Sequence, residues 1–107
     1  MSNLEDKFAQ LWTTRHPNII LEREVLAIPK RKFRLDFASS EALVGIEIQG
    51  QLWHKGRHNT GAGLLSSYEK HNLHILYGWS VFQLADKMIT EEWIDKIANI
   101  IANKLIA

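Results

Sequence analysis

The stretch R-L-D-F-A-S-S-E-A-L-V-G-I-E-I-Q, Arg34 to Gln49, decides how the chain is read. Apolar and polar residues alternate through Phe33–Ala38 and again through Leu43–Gln49, the period of strands with one buried face. The polar run Ser39-Ser40-Glu41-Ala42 between them reads as a hairpin connection. Centring the turn between Ser40 and Glu41 sets Asp36 opposite Gly45 and Arg34 opposite Glu47. Arg34, Asp36, Gly45, Glu47 and Gln49 then share one face, and Leu35, Phe37, Val44, Ile46 and Ile48 share the other. In this register Asp36 and Glu47 are diagonal neighbours with Cβ atoms roughly 7 Å apart, a span that two carboxylates can close around one hard cation. Two acids on one face repel each other unless Arg34 or a divalent metal supplies positive charge. A surface salt bridge on a half-exposed hairpin is the competing account of the same pattern.

Outward from the hairpin, the punctuation is clear. Leu4, Phe8, Leu11 and Trp12 at helical spacing predict a helix over residues 3–15, with Ser2 and Glu5 spaced as a capping box. The aliphatic run Ile19–Ile28, closed by Pro29, predicts a strand. Glycines recur through Gly50–Gly63 and predict a loop, followed by a helix over 64–77 with Gly78 as its C-terminal cap. Trp79–Leu84 reads as a short strand. Thr90 then caps a last helix whose apolar face carries Trp93, Ile94, Ile97, Ile101 and Leu105. The order α, three β, α, β, α predicts an α/β fold, a mixed sheet of about four strands flanked by helices.

A chain of 107 residues is the size of one domain, so residues 1–107 read as a single unit. It has no cysteine, which removes disulfides, thiol nucleophiles and cysteine-held zinc. No leader pattern and no run of roughly 20 apolar residues is present, so the expectation is a soluble cytoplasmic protein with no membrane partner. The net charge is only +1, but the cations cluster in Lys30, Arg31, Lys32 and Arg34 and again in His54, Lys55, Arg57 and His58. Local patches of this kind suit a polyanion such as nucleic acid. Arg34, Lys55 and Arg57 are candidates for phosphate contact. His54 and His58 lack a third nitrogen or sulfur ligand for zinc; phosphate contact or proton donation to a leaving oxygen fits one of them better, and a plain basic loop is the alternative.

The run I-E-I-Q-G-Q-L-W-H-K-G-R-H-N-T-G-A-G, Ile46 to Gly63, joins a strand with one acid and one amide to that basic loop. Asp36 followed by Glu47 and Gln49 as E-x-Q resembles the active-site signature of the PD-(D/E)XK nuclease superfamily, with glutamine where lysine is usual. The ordered segments R-L-D-F-A, E-I-Q-G, G-R-H, G-x-G, E-K-x-N and G-W-x-V look more like a group of small phage-encoded and bacterial nuclease-like proteins of that superfamily. The order E-x-Q-G-x-x-W-H is also similar to very-short-patch-repair endonucleases, whose zinc cysteines are missing here. The resemblance covers roughly residues 20 to 90 and departs from the pattern at Leu35, where proline commonly precedes the motif aspartate.

The resemblance implies a restriction-endonuclease-like core and a metal-dependent nuclease acting on DNA, an endonuclease before an exonuclease. Asp36, Glu47 and the Ile48 carbonyl would hold Mg²⁺ or Mn²⁺, and Gln49 would align the attacking water. In some members the missing lysine comes from the helix after the E-x-K strand. That nominates Lys70 to face the phosphate, with Glu69 as a second contact to metal or water. Glu5 is a further acid that the capping box also explains. A phage origin would place the protein in the bacterial host cytoplasm. Two other classes stay open: a nucleic-acid-binding module that has lost the chemistry, for which Gln49 speaks, and a structural or assembly protein. Trp93, Ile94, Ile97, Ile100, Ile101, Leu105 and Ile106 spread over more of the last helix than one packed face needs, which suggests a homo-oligomer, a symmetric dimer first.

Overall fold

The computed structural model describes residues 3–50 and 61–106. Helix α1 (Asn3–Arg15) leads into β1 (Glu22–Leu26), β2 (Arg34–Ser39) and β3 (Val44–Gln49). Then come α2 (Gly61–Leu76), β4 (Ser80–Ala85), a 3-10 turn (Asp86–Met88) and α3 (Glu91–Ile106). The sheet order is β1-β2-β3-β4, with β1/β2 and β2/β3 antiparallel and β3/β4 parallel. A parallel pair needs a crossover, and α2 supplies it. The α/β class, the mixed four-stranded sheet and the order of elements match the sequence reading. Among the described residues no helix is long and apolar enough to cross a membrane.

Local chemistry explains the ends. Gly78 takes φ +87, and Trp79 N–H donates to the His74 carbonyl while Gly78 N–H donates to that of Ile75, the paired bonds of a Schellman close. Thr90 Oγ1 accepts from Trp93 N–H and caps α3. Two elements differ from expectation by more than one residue. The first strand is confined to Glu22–Leu26, because Trp12 Nε1–H holds the Ile19 carbonyl at 2.8 Å and Arg31 N–H closes a turn on the Ile28 carbonyl. Gly61 and Gly63 belong to α2 rather than to the expected loop, since a helix tolerates glycine at about 1 kcal/mol each when its neighbours propagate it.

One face of the sheet is closed by α1 and α3. Phe8, Trp12, Phe37, Ile46, Leu84, Ile94, Ile97 and Ile101 form the centre of that core. Phe8 stacks on Trp12 at 5.7 Å and meets Phe37 at 4.7 Å. The opposite face holds a second, much smaller cluster of Leu35, Ala38 and Trp79.

The hairpin register corrects the expected one. Phe37 pairs with Ile46, Ala38 with Gly45 and Ser39 with Val44, so the turn centres between Glu41 and Ala42 and not one residue earlier. Moving the centre by one residue shifts each pairing by two, which preserves side-chain parity and leaves Asp36 and Glu47 on a common face. The assignment of Leu35 to the face of Phe37 is also corrected. Leu35 packs with Ala38 and Trp79, because Gly45 lacks the Cβ that would meet Leu35 Cδ1 at 2.6 Å. Alternation therefore breaks at Asp36. Across from it on β1, Glu24 adopts φ +54, and its neighbours change faces too: Arg23 covers the Phe37 ring while Val25 joins the smaller cluster.

Candidate active site

The break in β2 makes the site. Beyond Phe37 the ladder with β3 stops, and the Asp36 carboxylate takes the place of a strand carbonyl, its Oδ2 accepting from Ile48 N–H at 2.7 Å. In an extended strand a residue's N–H and C=O lie on one side, so the Ile48 carbonyl also faces the gap where β2 parts from β3. Glu47 is next to it on β3, only 9% exposed. Lys70, reaching down from α2, donates to Glu47 Oε1 at 2.6 Å and to the Arg34 carbonyl at 3.0 Å. Arg34 lies 3.3 Å from Glu24 and 3.7 Å from Asp36. The repulsion expected between two acids is thus answered by Lys70 at one carboxylate and by a backbone N–H with a distant guanidinium at the other.

Leu26, Lys32, Arg34, Asp36, Glu47 and Lys70 line an open cleft of about 740 Å³, with Ile48 and Gln49 in its wall. Its chemistry suits a hard cation. Between described residues, hydrogen bonds engage only Oδ2 of Asp36 and only Oε1 of Glu47, which leaves each acid an oxygen for a ligand. With the Ile48 carbonyl these form an all-oxygen set of the kind Mg²⁺ or Mn²⁺ prefers. Among the described residues no group of three or more His, Cys, Asp or Glu side chains gathers to hold a metal, so water would complete the shell.

The other sequence candidates fall at different distances from this centre. Gln49 is exposed at the end of β3 and lines the cleft. Glu69 turns to an ion pair with Arg31 and does not line the cleft. Glu5 reaches Arg23 at 3.3 Å. His54, Lys55, Arg57 and His58 lie outside the described residues, as does the Ser2 cap. The sequence reading counted Lys32 only within the basic cluster and passed over Phe33, His74 and Gln83. Two signals were available: Lys70 and His74 sit at i, i+4 on one helix face, and Gln83 interrupts the apolar run V-F-Q-L. In the parallel register Gln83 is the partner of Glu47.

The four-stranded mixed sheet, with α1 and α3 on one face and the crossover helix α2 on the other, is an α/β fold. The fold is similar to the solved homing endonuclease I-Bth0305I catalytic domain, with a TM-score of 0.64 and 13% sequence identity over 98% of this chain and 99% of that one. No protein-family model and no curated protein matches the sequence.

Proposed function

We propose that residues 1–107 form one PD-(D/E)XK-type nuclease domain, an Mg²⁺- or Mn²⁺-dependent endonuclease that hydrolyses phosphodiester bonds in DNA. The observation that carries this reading is the convergence of Asp36, Glu47 and Lys70, contributed by β2, β3 and α2, on one cleft where β2 parts from β3. Likeness of fold to a homing endonuclease catalytic domain supports it. A bound divalent cation would lower the pKa of its water and offset charge on the phosphate.

The chain's own groups supply the rest. Asp36 Oδ2 is held by Ile48 N–H, which fixes the aim of Oδ1, 3.7 Å from the Arg34 guanidinium. Lys70 reaches Glu47 at 2.6 Å and supplies the cationic side chain that Gln49, standing where lysine is usual, does not. Gln49 at the cleft wall orients water through its amide. Arg34 and Lys32 on the rim take the flanking phosphates. Lys55, Arg57, His54 and His58 extend that contact in the proposal.

Purified Asp36→Asn and Glu47→Gln each lose metal-dependent cleavage by about a hundredfold or more, at unchanged far-UV circular dichroism. Wild-type rates in either variant would remove this site. The alternative is a DNA-binding module without chemistry, favoured by the direct Lys70–Glu47 pair; binding of DNA at low salt with no cleavage in either metal would establish it. The proposal includes self-association through α3. Ile94, Ile97 and Ile101 are buried against the core, while Ile100, Leu105 and Ile106 stay exposed and Ile106 is 84% accessible. Light scattering at micromolar concentration gives a dimer mass that Ile100→Glu lowers; a monomer mass in both proteins would exclude the dimer.

A further inference from the structure

The Glu47–Lys70 pair stands at the junction of two clefts with different chemistry. Phe33, Glu47, Gln49 and Lys70 line both. The first cleft, on the β2 side, adds the charged groups Lys32, Arg34 and Asp36. The second, under α2, adds Ser66, Ser67, His71, His74, Val81 and Gln83. Apart from the mutually paired Glu47 and Lys70, its polar lining offers hydroxyls, two amides and imidazoles. A phosphate belongs in the first cleft, and a neutral group with hydrogen-bonding edges belongs in the second. Its volume of about 450 Å³ falls in the roughly 300–1,000 Å³ range of small-molecule sites.

His74 gives this cleft its polarity. The side chain is 1% exposed, and its Nδ1 lies 2.7 Å from the Lys70 carbonyl, an acceptor, so Nδ1 carries the proton. In the neutral ring Nε2 is then the lone-pair nitrogen, and it has no hydrogen-bond partner among the described residues. The Nδ1 edge is turned to the helix's own backbone, and the His74 ring lines the cleft with Nε2 itself buried. A buried acceptor without a donor costs stability, and a ligand N–H would relieve that cost.

We propose that this cleft receives the nucleobase adjoining the scissile phosphate, turned out of its stack, with His74 Nε2 accepting from a base N–H and the Gln83 amide meeting the same edge. The identity of the ligand rests on the nuclease reading above. Unstacking costs least where the nucleotide is already unpaired, so the preferred substrate is nucleic acid with a locally single-stranded nucleotide at the cut.

Two measurements on the intact protein test it. The ¹⁵N resonance of His74 Nε2 is followed while deoxyadenosine or deoxycytidine monophosphate is added, with deoxyribose 5-phosphate as the baseless control. In parallel, oligonucleotides carrying one abasic residue at successive positions are cleaved. Expected are a resonance moved by the nucleotides and not by the sugar phosphate, and a kcat/KM about tenfold lower when the residue beside the cut is abasic. Gln83→Leu, at an exposed strand position, gives about the same loss on the intact oligonucleotide and none on the abasic one, which keeps the test independent of whether a His74 variant folds. A resonance moved equally by the sugar phosphate, or cleavage indifferent to abasic residues on both sides of the cut, overturns the proposal. Nucleotide-specific shifts in a protein that cleaves nothing would uphold the base site while removing the nuclease reading.

Discussion

The two faces of the sheet are built to opposite specifications. Under α1 and α3 lies a continuous core of aromatic and branched side chains, and its rim is tied by Arg15 at the end of α1 and His16 just beyond it to Asp95 of α3, at 2.6 and 2.7 Å. Under α2 the apolar packing shrinks to Leu35, Ala38 and Trp79, and the remaining space is polar, open and charged. Leu65, Tyr68, Ile75 and Leu76 of α2 stay exposed, and the ties of that helix to the sheet side include the Lys70–Glu47 ion pair and the edge-on contact of His74 with Trp79. The difference teaches where each kind of free energy is kept. Stability is stored on the closed face, which leaves the other free to carry groups that water and ligands must reach.

The comparison can be broken most directly by truncation. Ile97→Ala, in the fully buried stripe of α3, costs about 2–5 kcal/mol in urea unfolding. Gln49→Ala, on the open face, stays within about 0.5 kcal/mol while lowering cleavage. Equal stability losses in the two variants would show that the faces share the load.

A smaller effect sharpens the boundary between the faces. Gly45→Ala drives a methyl against Leu35, whose Cδ1 would be 2.6 Å and Cγ 3.3 Å away, and Leu35 is wholly buried. Overpacking of this kind costs about 1–3 kcal/mol. Because the Leu35 insertion accompanies the break at Asp36, cleavage falls in the same variant beyond what its unfolded fraction explains. Full specific activity of the folded fraction would separate the slot from the site.

The smallest effect concerns the rim of the closed face. Hydrogen bonds from Arg15 and then His16 hold the Asp95 carboxyl at about 2, down from the ordinary 3.8. A carboxyl lowered in the folded state contributes stability above its unfolded titration, near pH 4, and that contribution is lost as pH falls toward about 2. Asp95→Asn should therefore flatten the fall in melting temperature between about pH 4 and pH 2 and leave its shape at neutral pH unaltered. An acid limb as steep as that of the wild type would mean that this exposed cluster is uncoupled from folding.

Elements and site face were written in the chain. Period-two alternation, glycine and threonine caps and the α-β-β-β-α-β-α order depend on interactions within a few residues, which a sequence displays. Parity did the same for Asp36 and Glu47: a two-residue error in pairing leaves both acids on one face, so the candidate site survived a wrong register. Lys70 was nominated by resemblance, but its 2.6 Å contact with Glu47, 23 residues away in sequence, is set by how α2 crosses the sheet. The entry of Leu35 into the slot of Gly45, the matched break at Glu24 and Asp36, and the unpartnered nitrogen of His74 were decided by tertiary structure alone. Each depends on which side chain fills which space between elements distant in the chain, and local periodicity carries no record of that packing.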